Sequence, residues 1–325
     1  MKENKKLMDP SACVHCHLCQ KHCVFLKKYH LDIGDMIHHE ELAYHCFLCG
    51  TCTHVCPKNI DGRGIILQMR REQVRLNGGK IKEKGYAMLL REKKDYLFQN
   101  YRNAEAKSVI FTGCNFPSYY PGTTRKIAEK LKQKAGIGIV FDCCGKPVAE
   151  LGLEEDAGNI IKKINRKLQD RHVEEVIMLC PNCYAFLKGK LNVRIVTIYE
   201  KLQELGMGSR VKEKLTVFPP CPDRPGQEIL EKILPFLEQQ PEVIRDSQCC
   251  GLGGCAGAKE PDLAAEMLEH AASQGGICTY CASCSGNFAR KGFGEAEHIL
   301  LKILDSTEKP DTGKSMFNRM RTKYW

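Results

Sequence analysis

An α+β multidomain fold is predicted: a small helical block at the N-terminus, followed by two pseudo-symmetric α/β units. Three observations carry it. Eight cysteines crowd residues 1–62, among pieces too short for long strands or a large core. From Lys107 onward, short apolar strands alternate with amphipathic stretches of helical length. The phrase DCCGKP at Asp142–Pro147 then returns as QCCGLG at Gln248–Gly253, each time behind a strand.

The elements follow in order. Residues 1–62 form the helical block and close on CPKNIDGRG. Residues 63–106 are charged with a helical period, broken at Gly78-Gly79, and read as a helical linker. Residues 107–210 are the first α/β unit. Within it SVIFTGC is a strand entering a Gly-Cys turn, GTTRKIAEKLKQKAG a helix and IGIVFDCCG a second strand. EEVIMLCPNCYAFLKGKL is a third strand running into a helix, and VRIVTIY a fourth strand. Residues 211–308 repeat the scheme, with KLTVFPPCPD, GQEILEKILPFLEQQ, EVIRDSQCCG and PDLAAEMLEHAASQGG as strand, helix, strand and helix. Residues 309–325 are a tail whose basic, aromatic end (SMFNRMRTKYW) packs or frays, with docking to a partner or membrane surface as the alternative. Ligand sites of open α/β sheets lie at the carboxyl ends of the strands, which is where the cysteines of both units fall.

Composition narrows the chemistry. Twenty cysteines in 325 residues, with no secretory apolar run and no stretch of membrane-spanning length, place the expected compartment in the cytoplasm. There thiols stay reduced and serve as metal ligands or catalysts. Docking at the inner face of a membrane would then go through a partner. The formal charge of +10 is offset if several four-thiolate iron centres, each about −2, are bound. With no RNP phrase or helix-turn-helix cue, nucleic acid is excluded as a partner.

Cys13, Cys16, Cys19 and Cys23 follow C-x₂-C-x₂-C-x₃-C, and Cys46, Cys49, Cys52 and Cys56 repeat it with Pro57 behind. Three thiolates at every third residue wrap three corners of a cubane, and in two-cluster ferredoxins the fourth crosses to the other cluster. Cys13, Cys16, Cys19 and Cys56 are therefore expected to hold one [4Fe–4S] cluster, and Cys46, Cys49, Cys52 and Cys23 the second. Zinc prefers separated C-x₂-C pairs. The interleaved His15, His17, His22, His45 and His54 are read as solvent-facing or as hydrogen-bond donors, since the cysteine set is complete without them.

Each α/β unit adds a lone cysteine after a strand, a doublet and a C-x-x-C. These are Cys114, Cys143, Cys144, Cys180 and Cys183 in the first, and Cys221, Cys249, Cys250, Cys281 and Cys284 in the second. Five soft ligands exceed what tetrahedral zinc uses and favour a polynuclear iron site. Cys278 offers an alternative pair with Cys281; Cys281/Cys284 is preferred because it heads a helix-like stretch as Cys180/Cys183 does. Cys255 and Cys278 are left over as small buried hydrophobes or spare ligands.

This pattern resembles the cysteine-rich CCG domain found in tandem. The whole of residues 10–290 resembles the heterodisulfide reductase catalytic-subunit family, in which a helical two-cluster ferredoxin precedes two CCG domains. Related chains are the iron-sulfur subunits of glycolate oxidase and anaerobic glycerol-3-phosphate dehydrogenase. The resemblance implies a non-cubane [4Fe–4S] cluster on the five cysteines of each repeat, with zinc or no metal as the alternative occupancy. It also implies an anaerobic electron-transport oxidoreductase that splits a disulfide between the two clusters. The alternative is a wire from a flavin-dependent dehydrogenase toward quinone. Expected partners are a flavoprotein, a hydrogenase-type subunit or a membrane cytochrome, with a disulfide or thiol as substrate. In the second repeat Cys221 lacks the histidine usual before it, and the gap from Cys250 to Cys281 is shorter than its counterpart.

Overall fold

The computed structural model describes residues 9–294 and 296–325. The chain divides into two compact units, each assembled from separate stretches. The smaller takes the chain up to Leu90, Pro147–Asp156 and Asp246–Ser273; the larger takes Arg91–Lys146, Ala157–Arg245 and Gln274–Trp325.

The smaller unit is helical. Short helices at Leu18–His22, Val24–Tyr29 and Thr51–Val55 precede a longer one at Gly62–Leu76. That helix begins where Asp61 Oδ1 accepts the Gly64 N–H at 3.1 Å, an N-cap on an otherwise orphaned donor. It buries Ile65, Ile66, Arg70 and Val74 on one face and stops at the left-handed Gly78 and Gly79, as the broken periodicity predicts. Glu260, on a segment far along the chain, is 1% exposed and takes Lys28 Nζ, Tyr29 Oη and His45 Nδ1, each at 2.6 Å. Burial pushes its carboxyl up, but the bonds from Lys28, Tyr29 and His45 outweigh this and hold it below the usual value of 4.5. A depressed carboxyl stabilises above its unfolded value and stops doing so as pH falls through the folded one. Glu260→Gln is thus expected to cost about 1–3 kcal/mol at pH 7. That difference should shrink as pH falls below 4.5 and through the depressed folded value, as denaturant titrations over an acid pH series would measure.

The larger unit holds both sheets. The first contains β1 (Asn100–Asn103), β2 (Ser108–Phe111), β3 (Gly138–Phe141), β4 (Glu175–Met178) and β5 (Arg194–Thr197) in the order β1-β3-β2-β4-β5. All pairings are parallel except β1 with β3. The second contains β6 (Thr216–Val217), β7 (Glu242–Val243), β8 (Ile277–Thr279) and β9 (Glu297–His298), all parallel, in the order β7-β6-β8-β9. Without β1 the two orders are the same: second strand, first, third, fourth. The repeat legible in the cysteines is a repeat of topology.

One element departs from the sequence expectation. Residues 100–103 fall in the stretch read as helical linker, yet they form the antiparallel edge strand β1. An edge strand needs little intrinsic propensity when a neighbouring strand supplies its partners. The tail is packed: Asn100 Nδ2 donates to Thr322 O at 2.8 Å and to Trp325 O at 3.0 Å. The Trp325 ring meets Phe141 edge-on at 5.0 Å. No helix among the described residues is long and apolar enough to cross a membrane.

Candidate metal centres

The two triplet runs share one backbone. His15 and Leu48, two residues past the first cysteine of each run, have φ of 47° and 49°. His17 and Gly50, one past the second cysteine, have φ of 60° and 80°. Paired left-handed positions turn the chain twice before the helices at Leu18 and Thr51 begin.

Cys13, Cys16, Cys19 and Cys56 line one small cavity with Pro57 and Lys58. Cys23 lies instead within electrostatic range of Cys46 and Cys49, and Cys52 within range of Cys23, Cys46 and Cys49 and also of Cys19. Cys56 thus shares a cavity with the first three thiols of the other run, and Cys23 lies near three thiols of the second. Burial raises the Cys19 thiol to about 12 and the Cys46 thiol to about 11, and pushes Cys23 and Cys52 upward as well. Desolvated thiols that resist ionisation by themselves fit a metal that binds them as thiolates. Among the interleaved histidines, His15 and His17 face the buried Asp32 at 3.3 and 3.0 Å, and His45 faces Glu260. Asp32 Oδ1 is 3.2 Å from Cys19 Sγ, and Cys13, His15 and Asp32 bring ligand atoms within 4.8 Å of one another.

Gly62 abuts the second group. A Cβ there would stand 1.9 Å from Ile33 Cδ1 and 2.9 Å from Cys52 Sγ. Gly62→Ala is expected to destabilise the smaller unit by about 1–3 kcal/mol and to lower iron retention. Thermal unfolding and iron content per chain would check both.

In the larger unit the sulfurs form a continuous file. Cys114 is hydrogen-bonded to Cys143, Cys143 to Cys144, Cys144 to Cys183, and Cys183 to Cys180. Cys180 then joins Cys281, and Cys281 joins Cys284. Local geometry explains the convergence. The glycine after each doublet has positive φ, 86° at Gly145 and 77° at Gly251, so the chain doubles back where a side chain would be strained. Cys180 and Cys281 occupy the same N-cap position, with extended φ/ψ of −106°/124° and −123°/115°. Cys183 and Cys284 follow in the first helical turn.

Electrostatics differ along the file. Hydrogen bonds from Cys143 and Cys183 hold Cys144 below the usual thiol range, and Cys180 and Cys284 do the same for Cys281. Side-chain hydrogen bonding and burial push Cys114 and Cys183 up. Three buried polar atoms near Cys281 have no hydrogen-bond partner among the described residues: Tyr199 Oη, Thr279 Oγ1 and His298 Nε2. His298 Nδ1 accepts the Leu300 N–H at 3.2 Å, which leaves the proton on Nε2. Burial lowers this imidazole to about 4 against the raising influence of Cys281. Orphaned buried donors are costly unless an acceptor arrives, and cluster sulfur is such an acceptor. The residues present fit an iron-sulfur group.

The second set is divided. Cys221, Cys281 and Cys284 belong to the larger unit, whereas Cys249 and Cys250 belong to the smaller. Cys278 sits within β8, opposite Val217 and Glu297, so Cys281 rather than Cys278 is the counterpart of Cys180. Cys255 packs against the cluster of Ala43, Tyr44, Tyr86 and Leu151.

Sequence reading missed the cations nearest the file. Lys93 is buried, and Cys114 and Cys143 raise its ammonium against burial, which opposes charge. It shares Glu92 with Arg319, at 2.8 and 2.7 Å. Two cations to one carboxylate leave a positive excess beside the thiols. Of the cations near motif cysteines, Arg290 is engaged by Tyr119 Oη at 2.9 Å, and Lys58 is exposed beside the Cys56 cavity.

One family model matches the chain, the CCG cysteine-rich domain, over residues 108–188 and again over 215–289. An uncharacterised iron-sulfur protein of Methanocaldococcus jannaschii is 26% identical over 75% of this chain and 56% of its own length. A second, from Methanococcus maripaludis, is 27% identical over 74% and 55%. One subunit of the fumarate reductase (CoM/CoB) of Methanothermobacter marburgensis is 23% identical over 95% of this chain and 74% of its own. The chain therefore spans about half the length of the first two relatives. No solved structure matches it.

Proposed function

We propose that this chain, which carries two CCG cysteine-rich domains and is similar to iron-sulfur proteins, is a heterodisulfide-reductase-like oxidoreductase subunit that carries electrons to a disulfide. Cys13, Cys16, Cys19 and Cys56 would hold one cubane cluster, and Cys23, Cys46, Cys49 and Cys52 the other. Cys114, Cys143, Cys144, Cys180 and Cys183 would hold a third centre, and Cys221, Cys249, Cys250, Cys281 and Cys284 a fourth. The overall reaction is RS–SR′ + 2 e⁻ + 2 H⁺ → RSH + R′SH; the S–S bond breaks, both sulfurs are reduced, and solvent supplies the protons. When bound, the clusters supply one-electron steps and soft iron that stabilises a thiolate.

The chain's own residues do the rest. Lys93 and Arg319 place positive charge where anionic thiolates gather, which favours their ionised form. His298, neutral and with its free N–H near Cys281, offers a hydrogen bond to sulfur. The contact of Cys180 with Cys281 makes the ligand pairs of the two repeats neighbours. The observation that carries the reading is the unbroken file of seven thiols, because a zinc scaffold has use for only four.

A second reading has support in the likeness, over 95% of the chain, to one subunit of a larger enzyme. On that reading this is the electron-transferring iron-sulfur subunit of a flavin-dependent dehydrogenase. Protein purified without oxygen decides between them. About sixteen irons per chain, with two reduced viologens consumed per disulfide, supports disulfide reduction. About eight irons and no disulfide-dependent oxidation leaves the electron carrier.

A further inference from the structure

Asp142 and Gln248 hold the same position, immediately before the doublet, in the two repeats. They act differently. Asp142 turns back on its own sheet, accepting the Cys143 N–H at 2.7 Å and the Tyr101 hydroxyl at 2.8 Å, with Lys167 at 3.7 Å. Gln248 reaches the N-terminal cysteines. Its Nε2 lies 3.4 Å from Cys23 Sγ and 3.6 Å from Cys49 Sγ. Its Oε1 accepts the Val24 N–H at 2.9 Å.

That last bond fixes the amide. The oxygen must face the main-chain donor, so the NH₂ faces the sulfurs. Gln248 is 7% exposed, so water does not compete strongly for these bonds. The neighbouring backbone supports the same approach. A Cβ on Gly253 would stand 2.2 Å from Phe47 O and 3.4 Å from Cys249 Sγ, so the loop between Cys46 and Cys49 lies close to the doublet within the smaller unit. Cys23 is the crossing member of its group, the thiol furthest in sequence from the other three.

We infer that Gln248 is a positioning residue for the Cys23/Cys46/Cys49/Cys52 centre, one that tunes its reduction equilibrium and fixes it beside the second doublet. This rests on the proposal that these four thiolates hold a cluster. Hydrogen bonds to thiolate sulfur favour the more electron-rich, reduced state, and they are one of the protein's levers on cluster potential. The device is absent from the first repeat, so the two doublets are not equivalent with respect to the ferredoxin-type block.

The test uses the full chain, purified without oxygen, as Gln248→Met and Gln248→Glu. Methionine keeps length and removes both polar ends. Glutamate keeps an acceptor for Val24 N–H and removes the amide donor. Redox titration of the two cubane paramagnetic signals is expected to show one signal shifted about tenfold toward the oxidised state. For a one-electron couple that is about 59 mV more negative, and the other signal should not move. Loss of one cubane's iron alone, with the other signal intact, also supports the inference. Full iron with neither potential moved, equal shifts of both, or general unfolding with loss of both clusters would overturn it. A parent protein that lacks cubane signals would instead sink the underlying cluster assignment, which iron and sulfide analysis of the parent distinguishes.

Discussion

Replacing Cys144 by serine is expected to remove about four irons per chain and to abolish any thiol-induced paramagnetic signal from the first repeat, while both cubane signals persist. Cys144 is the middle of the first five thiols, touching Cys143 on one side and Cys183 on the other. Both neighbours hold its thiol below the ordinary range, so it is the most readily ionised of that group. Serine is nearly isosteric, but its hydroxyl is a hard, poorly acidic ligand for iron. The fold should survive, because Gly145 keeps its turn and the doublet is anchored by the Asp142–Cys143 bond. Anaerobic iron analysis with paramagnetic resonance checks this; unchanged iron would remove Cys144 from the ligand set. Cys278→Ser is the control, expected to cost stability without removing iron, since Cys278 is enclosed within β8.

Arg70→Met should have the largest effect on stability. The Arg70 side chain is fully buried, and its guanidinium donates to four main-chain carbonyls. These are Ala43 O at 2.9 Å, Glu150 O at 2.7 Å, Gly254 O at 2.8 Å and Cys46 O at 2.8 Å. It also stacks over the Tyr44 ring at 4.8 Å. One planar ion thus ties together three separated stretches of the smaller unit, one of them at the first cysteine of the second triplet run. Methionine fills the volume but leaves those carbonyls without that donor. A loss on the order of 3–5 kcal/mol follows, with release of iron from the neighbouring thiols. Denaturant unfolding with iron retention measures both. Arg70→Lys should recover less than half, since an ammonium cannot reproduce the planar fork.

The cysteine framework was legible because metal chemistry imposes short, rigid spacings that survive in one dimension. The same is true of the strands ahead of Cys114, Cys143, Cys180 and their counterparts, whose apolar runs have few alternatives. Other features depend on residues brought together from afar. Lys93 reads as one more charge in a solvated helix (REKK), and only its burial beside Cys114 and Cys143 gives it a role. Gln248 is separated from Cys23 by 225 positions, and nothing in local pattern links them. Strand β1 (NYRN) has the composition of a linker; its pairing with β3 is a tertiary decision. The division of the second cysteine set between two compact units was invisible for the same reason.

The interleaving of distant segments in the smaller unit also bears on how the protein is made. Val24 and Gln248 are hydrogen-bonded across 224 positions, and Lys28 and Glu260 across 232. At about 5–20 residues per second, a ribosome needs about 11–45 s after Val24 to reach Gln248. For that interval Cys13, Cys16, Cys19 and Cys23, and for most of it Cys46, Cys49, Cys52 and Cys56, are out of the peptidyl-transferase centre without the segment whose Gln248 reaches Cys23 and Cys49. The cell must keep them reduced, or deliver iron and sulfide to them, before the chain has supplied the lid.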